Sequence, residues 1–449
     1  MANSEALVLE PFEKYMLWDD SPSAPMTPVV DVEFSNDLSP DILADAFGAT
    51  IGSHELLCSR VVQRGGQLEW EPVAKADQPR LAIVENAETE MRQIDLMHQC
   101  GLRAWLYPTR AGFCLRIQWH HACCDGVGIR AFLVDLLFAY HARTGGVVTK
   151  RGRNLLPELL AGRGDFSGVR RREPISALQR LRNAYYFHFQ LPDPLRPPLP
   201  GQGREAARTE TSNSADFPVH ADISHEDSQS IILRCKEEQI SISSLASALL
   251  FVQCKEWNAR VSSIRPQGRL RLLLPYDLRS SSHLRMPAAN RMSFAFVGRK
   301  YRDTDDLARL VDGIEAEMEQ TKRTQLPLDF LAGLSAASRS PWAMRRMLSS
   351  HNCMATTVLT YTGDIARGLA RGFTVDDSGL SIGNCKLLRI GAAPPARLNT
   401  NVAIGLCQNW GRLCFSASYW AEQFRREDCE RFLAEYVGRW NAWLQNTPL

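Results

Sequence analysis

The chain has 449 residues, 45% of them apolar, 23% charged and 8% aromatic, and a formal net charge of +2. That composition excludes a disordered chain, a collagen and a coiled coil, and the near balance of charge argues against wholesale nucleic-acid binding. At about 100–200 residues per domain the length predicts two or three domains or one large one, with a core that needs no staple.

In chain order, residues 38–51 (LSPDILADAFGATI) read as a helix opened by Ser39 and Pro40. Residues 112–119 (GFCLRIQW) alternate as a strand, and 127–141 place Ile129, Phe132, Leu133, Leu136, Leu137 and Tyr140 at helical spacing. A second stretch opens near Ile223, where Ser224 with Asp227 fits a capping box, and a further helix starts at Ser243 or Ser244. Leu270, Leu272 and Leu274 alternate as a strand predicted to stop at Pro275. Leu307, Leu310, Val311, Ile314 and Met318 mark an amphipathic helix, and 402–408 with 413–420 read as a hairpin around Asn409–Gly411. A last helix carries Phe432, Tyr436, Val437, Trp440 and Trp443.

Between these stretches, residues 150–182 hold nine basic and three acidic residues, followed by AYYFHF at 184–189 and a proline-rich, then polar tract. This middle segment reads as a linker. The expected organisation is α/β, with an N-terminal unit over 1–165, a crossover over 166–215 and a C-terminal unit over 216–449.

The twelve cysteines are scattered without CxxC spacing, so they read as reduced thiols, with no metal site and no disulfide framework. Glu5 and Glu10 stand where a signal peptide would be basic, and no apolar run approaches the ~18–20 residues of a membrane span. A cytoplasmic, soluble protein is expected.

The informative stretch is 118–128, QWHHACCDGVG. Along a strand, Phe113, Leu115, Ile117, Trp119 and His121 share one face, while His120 points to the other. Taken singly, His121 would be a satisfied core histidine and Asp125 a turn or N-cap residue. The whole pattern HHxxxDG weighs more, because four fixed residues at that spacing arise by chance in roughly one chain in a thousand of this length. Its place between a strand and a helix adds to it.

With His120, His121, Asp125 and Gly126 in that pattern, the sequence resembles the chloramphenicol acetyltransferase-like superfamily. That group includes peptide-synthetase condensation domains, polyketide-associated acyltransferases and wax-ester synthases. SHELLCSR at 53–60, PYDLR at 275–279 followed by Asn290, and TTVLTYTGD at 356–364 extend the resemblance; the plant branch's DFGWG is absent.

The resemblance implies two such subdomains in a V with an active-site tunnel between them, and acyl transfer from a thioester to a hydroxyl or amine. It makes His121 the general base, a role an imidazole with a pKa near 6.5 can fill without a covalent intermediate. It gives Asp125 a structural ion pair, with Arg279 as partner, and sets His120, Gly126 and Asn290 as structural residues around the base. Gly126 would let the backbone turn tightly into the helix. No cofactor would be bound permanently; acyl-coenzyme A or a phosphopantetheine-linked acyl group would be the co-substrate.

Competing chemistries lack their motifs. There is no GxSxG elbow and no GxxxxGK[ST] loop, and Cys123 and Cys124 read as packing residues rather than nucleophiles. Three readings stand beside the coenzyme A-dependent acyltransferase: a condensation enzyme served by a separate acidic carrier protein, a wax-ester-synthase-like enzyme, and a catalytically silent docking module of the same fold. The basic segment over 150–190 would dock such a carrier or touch an anionic membrane peripherally, or be a solvated linker.

Overall fold

The computed structural model describes residues 7–86, 93–145, 153–198, 218–261, 268–340, 353–365 and 372–446, with 342, 344, 346, 348 and 369. The strands are β1 (Leu7–Val8), β2 (Val29–Ser35), β3 (Ser59–Arg64), β4 (Gln67–Pro72), β5 (Leu81–Ile83), β6 (Leu102–Thr109), β7 (Gly112–Trp119), β8 (Val219–Asp222), β9 (Arg269–Asp277), β10 (Met292–Lys300), β11 (Thr357–Asp364), β12 (Thr374–Asp376), β13 (Gly379–Ile382), β14 (Cys385–Ala393), β15 (Val402–Asn409) and β16 (Arg412–Tyr419). The helices used below are α1 (Pro11–Trp18), α2 (Pro40–Ile51), α3 (Gly126–Arg143), α4 (Ala177–Phe189), α5 (His225–Glu237), α6 (Ile242–Val261), α7 (Leu307–Thr324), α8 (Pro327–Ala337) and α9 (Arg426–Leu444).

Two sheets form the frame. One runs β12-β13-β14-β2-β7-β6-β5, the other β10-β9-β11-β15-β16-β8, and β1-β4-β3 make a small third. Each large sheet carries its own apolar cluster, one built around Phe34, Phe47, Leu115 and Phe132, the other around Leu249, Trp257, Phe415 and Trp440. The fold is mixed α/β in two subdomains, as expected.

The numbered boundary at 216 does not follow the sheets, however. Residues 374–393 lie beyond it in sequence, yet β14 pairs antiparallel with β2 of the first sheet, from Leu387↔Phe34 to Ala393↔Val29. The crossing needs glycine: a Cβ on Gly405 of β15 would stand 1.8 Å from the Ala392 carbonyl oxygen of β14. An ion pair and a hydrogen bond tie the sheets at the same place, with Arg389 on Asp222 at 2.9 Å and His220 Nε2 on Asp31 at 3.1 Å.

β9 also departs from expectation. It continues through Pro275 to Asp277, paired with β10 throughout. Its pairing with β11 ends at Leu273↔Val358, so beyond that point it has a partner on one side only, where a missing N–H breaks no ladder. The divergence of β9 and β11 opens the space that the candidate site occupies.

The crossover is anchored at several points along its described length. Arg163, expected in an exposed basic linker, is 1% exposed and pairs with Glu13 of α1 at 2.6 Å, because a carboxylate buried there needs a counter-ion. Arg153 pairs with Asp135 and Arg171 with Asp329, both at 2.6 Å. In α4, Phe187 packs on Phe296 and Phe330, while Leu178, Leu181, Tyr185 and Phe189 are exposed along the opposite face. Lys150, Arg151 and the polar tract over 201–215 lie outside the described residues. No helix among the described residues is long and apolar enough to cross a membrane.

Candidate active site

β7 ends at Trp119 because its partner β2 is preceded by Pro28, whose carbonyl takes the Trp119 N–H at 3.3 Å but which has no N–H to return. His120 and His121 therefore stand in a turn just past the strand, rather than as its last residues. The turn is closed by the Cys123 N–H on the His120 carbonyl at 2.9 Å, and the Trp119 indole N–H holds the Cys124 carbonyl at 2.9 Å.

The two imidazoles part company here. His120 is fully buried; its Nδ1 accepts from the Ala122 N–H at 3.0 Å and its Nε2 lies 3.6 Å from Asp20. His121 borders two cavities, one of about 330 Å³ and one of about 50 Å³. The larger is lined mainly by aliphatic side chains, among them Val30, Ile129, Leu133, Leu137 and Ile390. The smaller holds Tyr15, Asp19 and Arg397. Pro275, Met292, Thr360 and Pro394 line both, so the diverging ends of β9 and β11 frame the junction.

Burial lowers the His121 pKa below the ordinary histidine value, against the smaller opposing pull of its own carbonyl and of Asp125. Its Nδ1 is the buried nitrogen. Asp125 makes no hydrogen bond to it and is occupied elsewhere. Asp125 caps α3 by accepting from the Gly128 N–H at 2.8 Å, and its other oxygen takes the Arg279 guanidinium and the Arg291 N–H, each at 2.8 Å. Burial alone would raise the Asp125 pKa; the Arg279 guanidinium and these donors outweigh it and hold the carboxyl below its usual range.

Arg279 also donates to the Ala289 carbonyl at 2.7 Å, and Asn290 places its amide on the carbonyls of His121 and Ala122, both at 2.7 Å. His120, His121, Asp125, Arg279 and Asn290, nominated from the sequence, thus meet around one turn.

Gly126 is different. A Cβ there would meet nothing within 4 Å, and its φ is not positive, so no tight turn requires it. The glycine under steric demand is Gly128, where a Cβ would lie 2.8 Å from the Ala289 carbonyl oxygen and 2.9 Å from Cys124. The sequence reading also missed Arg291, whose guanidinium spans the carbonyls of Gly162, Arg163 and Asp165 at 2.6–3.0 Å. A lone arginine at the head of the apolar run MSFAF was the available signal. Cys123 and Cys124 are fully buried, which pushes both thiols well above their ordinary pKa and leaves them as packing residues.

The overall architecture matches solved structures over 98% of the chain. Among them are the epimerization domain from the third module of tyrocidine synthetase B (16% identity, 96% of that chain, TM-score 0.62) and SgcC5 from Streptomyces globisporus (14%, 100%, 0.65). A third is the starter condensation domain of rhizomide synthetase, determined with C8-CoA and Leu-SNAC (13%, 94%, 0.63). This is the condensation-domain fold. At such identities the likeness speaks for architecture alone. No family model matches the chain, and no curated protein does.

Proposed function

We propose that this protein is an acyltransferase that moves an acyl group from a pantetheine thioester to a hydroxyl or amine, with His121 as the general base. The observation that carries the proposal is the position of His121 at the junction of two cavities of unequal size. One substrate can reach the imidazole from each side, as a two-substrate transfer needs. The large aliphatic chamber suits the acyl chain and the small one the acceptor.

With Nδ1 buried, Nε2 is the nitrogen a substrate can meet. It takes the acceptor's proton as the oxygen or nitrogen attacks the thioester carbonyl; the C–S bond then breaks, and the protonated imidazole returns its proton to the leaving thiolate. A base with a lowered pKa is unprotonated at neutral pH and ready for this. Asp125, with its oxygens committed to Arg279, Arg291 and Gly128, acts by holding the loop and not by polarising the imidazole. His120 and Asn290 fix the turn.

The donor is a coenzyme A or carrier-protein thioester. The exposed face of α4, with Arg182 on the same helix and Arg170 and Arg172 exposed before it, supports a carrier protein of acidic surface.

The test is consumption of a panel of acyl thioesters by wild type and His121→Ala. Turnover that depends on His121 supports the proposal. A protein that consumes none of them is a docking module, and consumption indifferent to the substitution removes His121 as the base.

A further inference from the structure

Three buried arginine–carboxylate pairs of this fold can be compared. Arg116 grips Asp31 in parallel, Nε on Oδ1 and Nη2 on Oδ2, both at 2.7 Å. Arg163 grips Glu13 likewise, at 2.6 and 2.9 Å. This two-point geometry is the strong structural form. Arg397 and Asp19 depart from it. They share one hydrogen bond, Nη2 on Oδ1 at 2.6 Å, and Arg397 spends Nη1 on the weakly accepting sulfur of Met354.

Asp19 Oδ2 and Arg397 Nε are consequently buried without a well-formed hydrogen bond, their side chains 3% and 8% exposed, and the neighbouring Tyr15 hydroxyl is turned to the Met354 sulfur at 3.9 Å. Unpaired buried polar atoms are costly; Arg291 Nε and Asp329 Oδ2 are unpaired too, whereas here both members of one ion pair carry such an atom. Both side chains line the small chamber that ends on His121.

Resting on the acyltransfer reading above, we infer that Asp19 and Arg397 form an acceptor subsite that selects a short acceptor bearing, besides the reacting group, a second neutral hydrogen-bonding group, a hydroxyl. The charge balance decides the neutrality. Arg397 already neutralises Asp19, so the chamber offers no net charge to compensate a buried ammonium. A hydroxyl can donate to Oδ2 or accept from Nε, and it meets groups that are otherwise unpaired. The chamber's volume, about 50 Å³, limits the acceptor to a few heavy atoms beyond the reacting one.

The experiment uses the full chain and whichever thioester of the panel is consumed fastest, with 1-propanol, 1,2-propanediol and 1,3-propanediol as acceptors. A site built around a polar partner discriminates strongly against the analogue that lacks it. The wild type should favour one diol over 1-propanol by about 10–100-fold in kcat/KM, the worth of a hydrogen bond to a charged group. Replacing the whole pair by apolar residues of similar size (Asp19→Leu with Arg397→Met) should bring that ratio to about one, and such replacements are often tolerated by the fold. Should the double variant not fold, Arg397→Lys keeps the ion pair, lacks Nε, and should lower the ratio. A wild-type ratio near one, or a ratio that survives these changes, overturns the inference while leaving acyl transfer standing. Absence of any thioester consumption that depends on His121 overturns both.

Discussion

Arg279–Asp125, joined by one hydrogen bond at 2.8 Å, and Arg163–Glu13, gripped at two points at 2.6 and 2.9 Å, are buried ion pairs set in two regions. In the loop over 119–128 the carboxylate caps α3, takes the Arg291 N–H and holds the turn that presents His121. In the crossover the arginine anchors residues 160–165 to α1, and Arg163 lines neither of the cavities that border His121. Buried ion pairing therefore serves site geometry in one region and chain closure in the other. Stability should respond alike to both; catalysis should not.

The sharpest measure of that difference is His121→Ala. General-base catalysis is worth about 10²–10⁴-fold, so kcat should fall by that factor while the thermal midpoint stays put. Near-native activity would remove His121 from the chemistry. Next in size, Asp125→Ala and Arg163→Ala should each cost about 3–5 kcal/mol in denaturant melts, since each strands a buried charge. Where folded protein remains, the first should lower kcat and the second should not; equal losses of kcat would erase the distinction between the regions.

Within the loop, Gly128→Ala should destabilise by about 1–3 kcal/mol through its clash with Ala289, whereas Gly126→Ala should be neutral or slightly stabilising. The reverse order would mean that the turn is built differently. The pH profile follows from burial. The folded His121 pKa is lowered, so the base is lost only as pH falls below the ordinary value near 6.5, and kcat/KM should hold a plateau at neutral pH with an acid limb beneath it. An acid limb above pH 7 would contradict the lowered value.

Smallest of all, Arg170, Arg172 and Arg182 changed together to glutamate should move stability by no more than about 0.5 kcal/mol. Arg171 is left intact because it pairs with Asp329. With a carrier-borne donor at low salt the same variant should lose kcat/KM, an effect that fades as salt screens exposed charge. Unchanged activity there, or binding to anionic vesicles instead, would end the carrier assignment.

What was legible in the sequence had its causes close together in the chain. The alternation of 112–119, the helical spacing of 127–141 and the pattern from His120 to Gly126 are all local, and the elements appear within a few residues of where they were expected. The Ser224 cap, accepting from the Asp227 N–H at 3.1 Å, is local too. The readings that failed depended on distant partners. Arg163 looked like linker charge because Glu13 lies 150 residues away. Pro275 looked like a strand end because only the divergence of β11 makes it harmless. The docking of 374–393 onto β2 leaves no mark in either segment alone. For the site, residue types and spacing pointed to the base and its supports, while Asp19 and Arg397, 378 residues apart, could be joined only in space.

Asn290 carries one last consequence. Its amide grips the two carbonyls beside the His121 ring, and it stands at the head of β10 in the second sheet, whereas His121 follows β7 of the first. The turn is thus shaped by two halves of the molecule that reach each other only late in folding, since such distant contacts pay their loop closure before they are rewarded. Chemistry should accordingly be the last property to appear on refolding, after each sheet has consolidated its own core. A local opening between the sheets should silence the protein while most of its structure persists.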